Sequence, residues 1–179
     1  YSSVHLELRE MSTGPQIAAL HAGEIDIGFG RQPTRDKSLR IEPVMAEPLL
    51  IAINGQHPLA RQSQIALAEL SHDDFVMFPQ DVAPGLYAQV FALCKEAGFR
   101  PHVAQESREL YTTVSLVEAG VGVTIVPASV QKMGWKNVVY KPIDSPLAQS
   151  VIEMAWRADD RSPVVEAFVN LVSDFSDHQ

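Results

Sequence analysis

The stretch from Val4 to Arg31 constrains the fold most, because its hydrophobic period changes twice. Val4, Leu6 and Leu8 alternate with His5, Glu7 and Arg9, the two-residue period of a strand with one buried face. Thr13-Gly14-Pro15-Gln16 then opens a helix as a T-x-x-Q capping box. Its proline stands in the first turn, where a missing N–H does no harm. Ile17, Leu20 and His21 follow at helical spacing, and Gly23 stands where a left-handed residue closes a helix. Ile25, Ile27 and Phe29 alternate again and run into Gly30-Arg31. Strand, short helix and strand with tight joins predict a βαβ unit with parallel strands and a right-handed crossover.

That unit implies a site. In open α/β sheets, small ligands settle at the carboxyl ends of strands, against helix N-termini. Thr13 at the helix start and Arg31 just past the second strand both arrive there. A hydroxyl, free helix N–H groups and a guanidinium suit a carboxylate. The plain alternatives are a threonine that only caps its helix and an arginine that is only a solvated loop residue.

The rest of the chain alternates strand and helix. Gln32 to Lys37 is polar and turn-rich, hence a loop, and Leu39, Ile41 and Val44 begin an extended segment. Glu47 to Ile53 and Phe75 to Phe78 are short apolar runs of the buried-strand kind. Ile65 to Leu70 makes a short helix, and Pro84-Gly85 opens a longer one that carries Leu86, Val90, Leu93, Cys94 and Ala97 and ends at Gly98. Pro101 to Gln105, Val121 to Val126, Val138 to Tyr140 and Val151 to Trp156 read as strands. Ser107 is placed to cap a helix bearing Leu110, Val114 and Val117, and Ala128 to Met133 adds a short one. A last helix has Ser162 as cap, Pro163 at its first position and a stripe of Val165, Phe168, Val169, Val172 and Phe175. The first segment is too small for its own core and needs the last strand and helix to complete it. The expected architecture is therefore α/β with two Rossmann-like lobes and a cleft between them. Lobe one is 1–45 with 148–179, and lobe two is 46–147. Clefts of this kind favour ligands.

Composition removes several classes. The net charge of −8, without a lysine- or arginine-rich run, argues against a grip on nucleic-acid phosphates by this segment itself. No apolar run is long enough to span a bilayer, and no signal-peptide pattern opens the chain. The single cysteine, Cys94, excludes an internal disulfide and a cysteine metal site, and fits a reducing, cytoplasmic compartment. It lies on an apolar helix face, where an inert buried thiol is expected. The histidines lack H-x-x-x-H and H-E-x-x-H spacing, so neither a metal nor a cofactor is expected. No G-x-S-x-G elbow is present, and no carboxylate pair stands out, so no catalytic residue is expected. Gly120-x-Gly122 follows a helix instead of a strand and lacks a third glycine, so it reads as a tight turn and not a dinucleotide loop. Arg108 and Glu109 read as a solvated first helical turn. Pro84-Gly85 is either a plain helix start or an anion contact facing Thr13 and Arg31 across the cleft.

Four ordered pieces carry a family resemblance over nearly the whole chain. They are the E-M-x-T turn at Glu10 to Thr13, A-L-x-A-G-x-I-D-I-G-F-G-R at Ala19 to Arg31, E-P-L with H-P-L-A at Glu47 and His57, and V-E-A-G-V-G-V-T-I-V-P-A at Val117 to Ala128. Together they resemble the effector-binding domain of LysR-type transcriptional regulators, most closely the subgroup controlling aromatic-compound and catechol degradation. The resemblance implies a two-lobed domain of the type 2 periplasmic-binding-protein kind with a small acid, such as a benzoate or cis,cis-muconate type, in the cleft. It implies effector contacts from Ser12 and Thr13 of the E-M-x-T turn, from Arg31 of F-G-R, and from Pro84, Gly85 and Leu86. Some relatives carry an aromatic side chain where this chain has Leu86. It implies a homodimer, a tetramer in the full-length protein, DNA contact only through an N-terminal domain outside this sequence, RNA polymerase as a partner of the full-length protein, and no membrane. Tyr1 is not an initiator methionine, and the family's DNA-binding domain, linker helix, and first strand and helix of lobe one are missing here. Two other classes share the architecture. A periplasmic solute-binding protein would need an export signal, and an enzyme would need an acid–base pair or a nucleophile.

Overall fold

The computed structural model describes residues 4–31 and 36–176. The chain divides into two compact units, Tyr1–Ala46 with Val151–Gln179, and Glu47–Ser150. Both boundaries fall inside strands, so the chain passes between the units within β2 (Leu39–Asn54) and β7 (Gln149–Arg157).

The first unit is built on β1 (Ile27–Gly30), which pairs antiparallel with β7, Ile27 opposite Trp156 and Gly30 opposite Glu153. Side chains alternate across such a pair. Met154 and Trp156 face α4 (Pro163–Ser176) and make a core with its Val165 and Val169. Phe29, on the same face, meets Phe168 edge to face at 6.5 Å. The opposite face of the pair carries α1 (Thr13–Ala22). Its end is a Schellman cap at Gly23, φ 69°, with Gly23 N–H donating to the Leu20 carbonyl and Glu24 N–H to that of Ala19.

Three expectations fail here. Residues 4–12 form no strand, and Leu6 and Leu8 are 65% and 94% exposed. Alternation decides which side chains would share a face, but a strand exists only where a neighbour takes its backbone groups, and none does among the described residues. The parallel βαβ unit is therefore absent, and the partner of β1 is an antiparallel strand from the far end of the chain. The capping box is also absent: Ser12, not Thr13, is the N-cap, and it makes no side-chain cap bond. The loop expected at 32–37 lies largely outside the described residues.

In the second unit, β2 pairs antiparallel with β5 (Thr124–Pro127) and β6 (Val138–Pro142). The two segments read separately from sequence join into one strand of 16 residues that runs through Pro43 and Pro48. β3 (Asp74–Met77) pairs parallel with β4 (His102–Glu106). Leu49, Ile51, Ile53, Phe75 and Ile125 are buried with Val90, Leu93 and Cys94 of α2 (Pro84–Glu96). Burial pushes the Cys94 thiol up to about 12, which makes it inert. α3 (Leu110–Glu118) starts later than expected. Ser107 is not its cap: its N–H donates to the Met77 carbonyl and its hydroxyl to that of Glu109. Arg108 and Glu109 thus precede the helix, and Arg108 pairs with Asp81 at 3.1 Å in solvent. The segments Leu67–Leu70 and Ala128–Met133 are 3-10 helices. Glu47, buried, takes the Ser129 N–H at 2.6 Å and so holds the start of the second of these.

Candidate functional site

The site in the first unit begins with a contact sequence reasoning missed. Gln16 does not turn back on its own helix. Its Nε2 donates to the Phe29 carbonyl of β1 at 3.0 Å. The side chain lies flat over Gly28, where an added Cβ would come within 2.6 Å of its Oε1. Only glycine permits that approach. The lock pins the first turn of α1 to the carboxyl end of β1. A Cβ at Gly30 would stand 3.8 Å from the Thr13 hydroxyl, so Thr13 and the Gly30-Arg31 corner are neighbours.

The other end of α1 is held by Arg157 of β7. Its Nη1 donates to the Leu20 and Ile25 carbonyls at 3.0 and 2.7 Å, and its Nη2 reaches Asp26 and Asp160 at 3.1 and 2.7 Å. A cation at a helix C-terminus suits the macrodipole. With both ends tethered, the N-terminus of α1 is a fixed feature. The first intrahelical donor is Gln16, to the Ser12 carbonyl, which leaves the N–H groups of Thr13 and Gly14 to other acceptors. The space where a Gly14 Cβ would project is open. The Thr13 hydroxyl makes no hydrogen bond among the described residues. Arg31 is half-buried at the end of β1. A hydroxyl and two N–H donors at an open helix start can accept an anion, and Arg31 follows Gly30 in the chain at this corner.

One further polar group shares this face. Glu153 stands directly opposite Gly30, and opposite residues of an antiparallel pair project to the same side. Its Oε2 is shut off from solvent without a hydrogen-bond partner among the described residues. Burial raises the Glu153 carboxyl above the ordinary carboxylate range.

In the second unit, Pro84, Gly85 and Leu86 form the first turn of α2, with Pro84 at its first position. Ala83 caps this helix without a side-chain bond, so the Gly85 and Leu86 N–H groups are open donors by the same count. Leu86 also packs on the core of that unit. The structure thus sets Thr13 beside Gly30 in one unit, with Arg31 next in the chain and Ser12 capping the same helix, and puts Pro84, Gly85 and Leu86 together in the first turn of α2 in the other. Gln16 and Glu153 are the residues sequence reasoning passed over. The signal for Gln16 was the Gly28-x-Gly30 pair on one strand face, which marks a close approach. For Glu153 there was none, since its place depends on pairing with a strand more than a hundred residues earlier. Among the described residues no group of histidine, cysteine or acidic side chains could hold a metal.

The profile of the LysR substrate binding domain matches residues 1–176, and the chain belongs to that family. It is 33% identical over 171 residues to the HTH-type transcriptional regulator AlsR of Bacillus subtilis, covering 96% of this chain and 57% of AlsR. It is 37% identical over 172 residues to CatR of Pseudomonas putida, covering 96% of this chain and 59% of CatR. The chain therefore spans less than three fifths of these curated relatives, which are transcriptional regulators and not enzymes. Among solved structures, it matches the BenM effector binding domain with its effector benzoate at TM-score 0.83 and 29% identity, over 96% of this chain and 78% of that one. It matches full-length CbnR complexed with target DNA at TM-score 0.82 and 27% identity, over 92% of this chain and 57% of that one. The fold is the two-lobed α/β, type 2 periplasmic-binding-protein-like fold of LysR effector-binding domains. Among the described residues no helix is long and apolar enough to cross a membrane.

Proposed function

We propose that this chain is the effector-sensing module of a cytoplasmic LysR-type transcriptional regulator, and that its effector is a small aromatic or dicarboxylic acid. The observation that carries the reading is the open helix start where the Thr13 hydroxyl stands beside Gly30, the residue before Arg31. The acid's carboxylate takes the Thr13 hydroxyl, the first N–H groups of α1 and the Arg31 guanidinium, with Ser12 at the rim. The two compact units correspond to the two lobes, and the α2 start at Pro84, Gly85 and Leu86 is a second effector contact in this reading. The effector favours one of two states of the domain by the difference in its affinity for them. In the full-length dimer or tetramer, that shift reaches the DNA-binding domains and RNA polymerase. The benzoate held by BenM supports the ligand class.

A thermal-shift screen of aromatic and dicarboxylic acids on the intact protein tests this. At a hundred times its dissociation constant, a true effector adds about 2.7 kcal/mol to stability. If no acid raises the melting temperature, the reading fails.

A further inference from the structure

We infer that Glu153 belongs to the same site and takes up a proton when the effector's carboxylate binds. This rests on the function proposed above, and its geometry is independent of it. The strand register sets Glu153 opposite Gly30, whose Cβ position lies 3.8 Å from the Thr13 hydroxyl and 3.6 Å from Gln16 Oε1. Opposite Cβ positions in such a pair are about 5 Å apart. A carboxylate held by Thr13 and Arg31 therefore arrives beside a second carboxyl, one oxygen of which is cut off from water without a partner among the described residues.

The surroundings decide how that pair ionises. On the face toward α1, β7 carries Glu153, Ala155 and Arg157, and Arg157 is four residues away and committed to α1, Asp26 and Asp160. α1 offers Thr13 and Gln16 here, and its one titratable group, His21, sits in the last turn and pairs with Asp36 at 2.8 Å. From β2, Glu42 accepts a bond from Ser173 of α4. β1 contributes Arg31 at its end and Asp26, held by Arg157, before its start. Arg31 follows Gly30 in the chain, and the segment before α1 brings His5, Glu7, Arg9 and Glu10 around the cavity lined by Gln16 and Gly28, with Arg9 paired to Glu7 at 2.7 Å. Two carboxylates sharing one site cannot both stay ionised without cost, and burial already disfavours the charge on Glu153. The proton comes from solvent and stays on Glu153, which then donates its O–H to the effector carboxylate and no longer repels it. The site accordingly selects a carboxylate and binds it more tightly at lower pH.

The test is calorimetric titration of the intact protein with benzoate in two buffers of different ionisation enthalpy between about pH 6 and 8, for wild type and Glu153→Gln. Wild type should take up as much as one proton per benzoate, with affinity falling up to about tenfold per pH unit. Glu153→Gln, which keeps a donor and cannot ionise, should bind with no uptake and a flat pH profile. Wild-type binding without proton uptake, or uptake that persists in Glu153→Gln, overturns the inference and leaves the proposed function standing. A ligand-free arm works even without benzoate binding. As pH rises from about 4, the infrared difference between wild type and Glu153→Gln should keep a carboxylic-acid C=O band after ordinary glutamates, near 4.3, have ionised. Absence of that band overturns the inference. Its presence with no benzoate binding counts against the proposed ligand class and keeps the buried acid.

Discussion

The strand pair β1–β7 carries two unlike surfaces. Toward α4 it presents Ile27, Phe29, Met154 and Trp156, an apolar layer closed by Val165, Phe168 and Val169. Toward α1 it presents two glycines, Glu153, Ala155 and Arg157, and the contacts there are hydrogen bonds. The same backbone thus separates work that would conflict on one face. Apolar packing fixes the strands in place, and the polar face uses that fixed platform to hold the start of α1, with Thr13, against Gly28 and Gly30. A polar corner with an orphaned carboxyl oxygen is a poor contributor to stability, which is tolerable only because the opposite face supplies it.

The division predicts which variants move stability and which move binding. Met154→Ala, at a fully buried position, should cost about 2–5 kcal/mol in chemical denaturation and leave affinity per folded molecule unchanged. A binding defect without a stability loss would break the division. Gly28→Ala should do the reverse. Its Cβ falls 2.6–2.9 Å from three Gln16 atoms, all at the end of a flexible side chain, so Gln16 moves and its bond to Phe29 is lost. That bond is worth about 1 kcal/mol, or roughly fivefold in effector affinity if the lock sets the Thr13 position. Gln16→Ala should reproduce the loss, and affinity equal to wild type in both variants would remove the lock from the site. The smallest effect concerns Glu153 and pH. Its carboxyl is raised in the folded chain, so the stability it contributes is complete below the unfolded value of about 4.3 and is lost as pH rises through the folded value. Glu153→Gln should therefore melt above wild type near pH 7, with the gap closing toward pH 4. A constant gap would place the effect elsewhere.

Local signals in the sequence carried far and then stopped at pairing. The helix ending at Gly23, the start of α2 at Pro84, the stripe of α4 from Val165 to Val172 and the strands at 75–77 and 151–156 were all legible from period and caps, while Phe175, read into that stripe, is exposed. Val4 to Leu8 has as clean an alternation as any of them and is no strand, because no described neighbour completes its backbone. The helix start at Thr13 could be placed beside the end of the strand at Gly30 from the helix–strand order, although that order was realised without the first strand. Gln16 was misassigned because the capping pattern and the bridge to β1 use the same residue, and only the Gly28 clearance decides between them. The extended segment from Leu39 and the run from Glu47 to Ile53 read as separate pieces, yet one strand continues through both, Pro43 and Pro48 included.

The central claim is that the corner of α1 and β1 holds the effector's carboxylate through Arg31. Calorimetric titration of Arg31→Ala against wild type, using the acid that gives the largest thermal shift, tests it most directly. Loss of a charge-assisted contact worth about 1.5–3 kcal/mol predicts affinity at least about tenfold weaker per folded molecule. Equal affinity in the folded variant would contradict the account.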